Sequence, residues 1–200
     1  MTTGIWIFRG LLVLGIAFFA FVWFMPLWGL DIAMLRADAV LVRSWGEELN
    51  IGNYAQLFPI PSMPGFFPAL MWIYMGLCLL LLAIALICPA RPVSLARFTI
   101  SLPQLLVGSV GLSQIVFVAV AAIVITIMLG TFEVDGVTTP LQGTVTLNFG
   151  QPYITEATSS LRSGYWLTLI SGLYLLFLAW LHSRFAIGDR PVAEAKAPQG

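Results

Sequence analysis

Four apolar runs, residues 5–30, 66–88, 102–130 and 164–186, exclude nearly all of the chain's nine basic and nine acidic side chains. Only Arg9, and Arg184 at the very end of the fourth run, lie within them. A run of about 20 apolar residues, rising about 1.5 Å each as a helix, matches the roughly 30 Å hydrocarbon core of a bilayer, where a helix satisfies its own backbone hydrogen bonds. The runs therefore predict four transmembrane helices. Arg9 sits near enough to one end to snorkel toward the headgroups. With 60% hydrophobic and 9% charged residues, the chain stands far from a soluble domain, which has about 45–50% and about 25%. Its net charge of zero suggests no nucleic-acid-binding face.

The first run is longer than the h-region of a signal peptide and is followed by no small-x-small cleavage site, so it is read as a span. The two cysteines, Cys78 and Cys88, are separated by ten residues of helix, about 15 Å, too far for a disulfide. Both are expected as buried apolar residues.

Orientation follows from the arginines. The link between runs two and three carries Arg91 and Arg97, and the two ends carry Arg9, Arg184, Arg190 and Lys196. The long loops, 31–65 and 131–163, hold seven of the nine acids. By the positive-inside rule the termini and the short link are cytoplasmic, and the expected location is an inner, bacterial-type cytoplasmic membrane. Residues 1–188 form a single four-helix domain, and 189–200 a disordered tail.

The first outer loop reads from Asp31 as an amphipathic helix lying along the membrane surface, with Met34, Leu35, Leu41, Val42, Trp45 and Leu49 on one side and Arg36, Arg43 and Glu47 on the other. Asp38 falls among the apolar positions and is expected to meet water or a backbone donor, or else a partner's charge or a bound cation. A proline-rich stretch follows, whose Phe58, Phe66 and Phe67 are too apolar for a solvated linker. In the second loop, Asp135-Gly136 predicts a hairpin turn, and the alternation of Val145, Leu147 and Phe149 with Thr144, Thr146 and Asn148 predicts a strand in a small extramembrane sheet between helices three and four. The expected fold class is thus an all-α membrane bundle with an interfacial helix and a small β element. The order of elements resembles the claudin and tetraspanin plan of four spans with extracellular segments after the first and third. The resemblance is one of topology, because the paired outer-loop cysteines of those families have no counterpart here.

Chemistry is sparse. His182 is the single histidine, so neither bis-histidine haem ligation nor a copper or di-iron set is available. With Arg184 it is expected at a lipid headgroup. Span three carries Gln104, Gly108, Ser109, Gly111, Ser113 and Gln114, a stripe of small and polar residues that reads as a helix-packing face toward a partner. No nucleophile triad, CxxC, phosphate loop or HExxH pattern occurs. The expected function is a non-catalytic accessory subunit of a larger membrane complex, respiratory, photosynthetic or monooxygenase. It would bind no cofactor by its own ligands, contact lipids, and meet pigment or haem only through partner subunits. The alternative is a homo-oligomeric transporter or channel component with a path along the polar face of span three.

Overall fold

The computed structural model describes residues 3–35, 38–52, 63–89, 92–95, 98–131, 133–134, 136–148 and 154–187. Helices α1 (Thr3–Trp23), α2 (Phe67–Ile87), α3 (Leu102–Thr131) and α4 (Ser163–Ile187) correspond to the four apolar runs. By length and composition they are the spans of an integral membrane protein. The first is shorter than expected: α1 ends at Trp23, just before Pro26. Proline removes a helix donor and disfavours helix in the residue before it.

The chain then turns into β structure where a surface helix was expected. Strands β1 (Trp28–Ile32), β2 (Val40–Arg43) and β3 (Gly46–Leu49) precede α2. They join strands β8 (Gly143–Asn148) and β9 (Ile154–Leu161) in one antiparallel sheet of order β3-β2-β1-β9-β8. The fold is therefore a helical bundle plus a five-stranded sheet, and the all-α reading with its interfacial helix is corrected. Two local facts favour strand over helix. Trp28, Leu30 and Ile32 alternate with Gly29 and Asp31, a period of two, and Val40 and Val42 are β-branched residues that suit a pleated surface. Arg43 and Glu47, expected on one polar side of that helix, are separated as well. A two-residue turn at Ser44-Trp45 sets Arg43 opposite Gly46, so the cross-strand diagonal brings Arg43 to Glu48 at 3.0 Å.

The predicted alternation is observed over Gly143–Asn148, and Phe149 lies outside the described residues. Leu147 is buried and Val145 partly buried, while Thr144, Thr146 and Asn148 are exposed. The turn at Gly136 (φ 75°) joins the short strands β6 (Glu133–Val134) and β7 (Val137–Thr138). A further hairpin, β4 (Pro92–Leu95) with β5 (Phe98–Ser101), fills the short link between α2 and α3.

The two ends of the bundle differ. At the sheet end, Trp28, Leu30, Ile32, Val40, Val42, Leu147 and Ala157 share a core with Ile125 and Leu129 of α3. Helix α3 has 30 residues, about 45 Å at 1.5 Å per residue, more than a bilayer core needs, so its last turns can support the sheet. The opposite end gathers the start of α1, the β4–β5 hairpin and the end of α4. There His182 lies edge-on to Phe8, with ring centroids 4.5 Å apart, and its Nδ1 hydrogen-bonds the Ser101 hydroxyl at 2.9 Å.

Candidate functional site

Of the stripe on α3, three residues face α4. A Cβ built on Gly111 would stand 2.8 Å from the Gly172 carbonyl oxygen and 2.9 Å from the Leu176 nitrogen, and one on Gly172 would meet the Gly111 carbonyl oxygen at 2.9 Å. The two backbones touch, as small residues permit between membrane helices. Gly108 opposes Ala179 in ordinary contact. Gln114 is 1% exposed, deep in the bundle.

The other three residues point elsewhere. The Ser113 hydroxyl donates to the Val110 carbonyl at 2.8 Å, which leaves it to accept from the Tyr74 hydroxyl of α2 at 3.0 Å. Ser109 is exposed and donates to the Leu106 carbonyl within its own helix. Gln104 is in the first turn of α3, where its N–H lies 3.4 Å from the Ser101 hydroxyl oxygen. The stripe thus divides between α4, α2 and the outer surface.

Around Gln114, the side chains of Phe19, Val22, Trp23, Tyr74, Phe117 and Thr168 enclose a cavity of about 10 Å³. Trp23, Tyr74 and Phe117 pack with ring centroids 5.8 to 6.2 Å apart. Trp23 Nε1, Gln114 Oε1 and Ser171 Oγ are buried without a hydrogen-bond partner. Thr168 donates to the Gly164 carbonyl at 2.6 Å, and Tyr74's counterpart on α4, Tyr174, donates to the Leu11 carbonyl of α1 at 2.9 Å. Sequence reasoning missed Trp23 and Tyr74, which have no motif around them.

At the sheet end the positioned charges converge. Arg162, between β9 and α4, donates through Nη2 to Asp31 Oδ1 at 2.7 Å, Asp31 Oδ2 at 2.8 Å and Asp38 Oδ1 at 2.8 Å. Asp31, the expected start of the surface helix, lies in β1 and accepts from the Asp38 N–H at 2.7 Å. Asp38 adopts φ 60°, a left-handed conformation that aspartate tolerates better than most residues. The Arg162 chain passes over Gly29, where a Cβ would stand 2.5 Å from Nε, so a side chain at that position would displace the guanidinium.

Trp45 stacks on Trp72 of α2 at 5.6 Å and meets Phe24 edge-on at 5.6 Å. This aromatic group fastens the β2–β3 turn to the bundle. Behind it lies an apolar cavity of about 110 Å³ lined by Leu27, Val42, Ser44, Met63, Phe67 and Phe117 among others. Phe66 is 68% exposed, and Phe58 lies outside the described residues, as do Asp135 and the tail 189–200.

His182 is 7% exposed, with Phe8 and Ser101 against its ring. Arg184 lies in the last turns of α4. Among the described residues no group of three or more His, Cys, Asp or Glu stands close enough to hold a metal ion. Comparison with protein-family models, curated proteins and solved structures finds no match to this chain.

Proposed function

We propose that the chain is a non-catalytic subunit of a larger membrane assembly, packing against and steadying partners that carry the chemistry. One observation carries the reading: polar side chains within the spans serve as internal fasteners. Ser113 ties to Tyr74, Tyr174 to Leu11 and His182 to Ser101. Side chains committed to holding helices together are poorly suited to moving protons or substrates. Each span also keeps most of its residues outward: 22% of the apolar stretch is buried in α2 and in α3, 28% in α1 and 39% in α4, leaving broad apolar faces for lipid or partner helices.

The sidedness belongs to the same reading. The arginine distribution puts both termini and the β4–β5 hairpin in the cytoplasm of a cell with an inner membrane, and the five-stranded sheet outside. Purification in mild detergent followed by mass measurement tests the function. Co-purifying membrane proteins in fixed ratio are expected, and a monodisperse single chain retaining no other protein counts against the proposal.

The second reading, a homo-oligomeric transporter or channel component, draws on the unpartnered Gln114 Oε1 beside the central cavity. Substituting Gln114 and Ser113 by Leu separates the two. Lost transport with intact assembly favours the path, and lost assembly favours packing.

A further inference from the structure

Arg9 and, in the last turns of α4, Arg184 are the only Lys, Arg, Asp or Glu within helices α1–α4. Arg9 lies six residues beyond the start of α1, about 9 Å along the helix axis. A cation so close to the helix start can snorkel toward the headgroups, where anionic groups attract it. Among the described residues no carboxylate comes within 4.0 Å of Arg9, since the ion pairs formed are those of Arg43 and Arg162.

The surroundings of Arg9 favour one class of ligand. Arg9 borders an open groove of about 530 Å³ between α1 and α2, whose other walls are Trp6, Gly10, Val13, Leu86 and Ile87. Gly10 keeps the floor clear, for a Cβ there would meet nothing within 4 Å. Trp6 is 61% and Ile87 76% exposed, so the walls present apolar surface outward. The guanidinium carbon stands 5.7 Å from the Trp6 ring centroid, a cation–π contact that holds the charge toward the helix start, at headgroup level.

We propose that this groove is a binding site for one anionic phospholipid, its phosphodiester paired with Arg9 and an acyl chain lying along Val13, Leu86 and Ile87. The charge calls for an anion, and the walls call for a ligand with chains, which a free phosphate lacks. The site is independent of whether the chain is an accessory subunit, because it uses only α1 and α2.

The test is native mass spectrometry of the full chain from mixed micelles holding phosphatidylglycerol and phosphatidylcholine with matched chains. Preferential retention of one phosphatidylglycerol is expected, with the preference falling roughly fivefold in Arg9→Gln and largely kept in Arg9→Lys. Equal retention of the two lipids by the unaltered protein overturns the proposal, and so does an undiminished preference in Arg9→Gln. Displacement of the lipid by glycerol phosphate at matched concentration would overturn the assignment to a lipid. If Arg9→Gln does not yield folded protein, Gly10→Leu decides, since it fills the groove and keeps the charge: a lowered preference supports the site and an unchanged one rejects it.

Discussion

The α3–α4 seam and the five-stranded sheet solve the same problem, holding distant parts of one chain together, with opposite means. At the seam no charge is used, and Gly111 and Gly172 bring two backbones into contact. In the sheet, large side chains such as Trp28 and Leu30, each 2% exposed, form a core, and Arg162 bridges Asp31 and Asp38 at the rim. The difference follows from the solvent. Lipid tails are as apolar as leucine, so burial gives helices little reason to associate and close van der Waals fit must do so. Beyond the bilayer, water restores the hydrophobic driving force and makes ion pairs tolerable at a half-exposed edge.

Four substitutions probe that contrast, beginning with the largest effect. Trp28→Ala removes a core side chain and its Nε1 hydrogen bond to the Leu141 carbonyl, and is expected to destabilise the sheet by about 4 kcal/mol. Limited proteolysis should then cut in β8–β9 while the helices stay protected; unchanged protection would mean that the sheet does not depend on its core. Gly111→Leu pushes a side chain into the Gly172 backbone, with an expected cost of about 3 kcal/mol. Heating in detergent should lower its unfolding temperature, whereas Gly76→Leu, where a Cβ meets nothing within 4 Å, should match the unaltered protein. Equal behaviour of the two variants would remove close approach as the basis of the seam.

Arg162→Met leaves two neighbouring carboxylates without their cation. Its cost is expected near 1 kcal/mol, with the gap to the unaltered protein narrowing as salt rises from about 0.1 to 1 M. A salt-independent gap would assign the effect to packing over Gly29 rather than to charge. Tyr74→Phe, finally, deletes the bond to Ser113 at about 0.6 kcal/mol. A double-mutant cycle with Ser113→Ala reads that coupling directly.

What could be read from the sequence divides along the same line. A membrane span is a local property, and the four runs placed α2, α3 and α4 nearly to the residue. Strand β8 was also legible, because one buried face imposes strict alternation on Val145 and Leu147. Strand β1 was not, since its apolar residues continue the run of α1 without a break in composition. Only Pro26 and the two-residue period of Trp28, Leu30 and Ile32 mark the change. The Arg162 bridge was out of reach for another reason: its carboxylate partner Asp31 is 131 residues away, and no local pattern encodes a pairing of that span. Gln104, Ser109 and Gln114 looked alike as polar positions on one helix, yet rotation about the axis sends one to the helix start, one outward and one inward.

The pairing of β1 with β9 also sets an order of assembly. Strand β1 is made early and its hydrogen-bonding edge waits until residues 154–161 arrive, directly before α4. Closing so long a loop has an entropic cost that no earlier contact of β1 with β9 can offset. The sheet therefore closes late, in the same event that seats the last helix between α1 and α3, and Arg162, one residue from the start of α4, acts as the bolt that joins the two steps. Until then the segment between α1 and α2 carries an open strand edge, the state of this protein most exposed to wrong pairing.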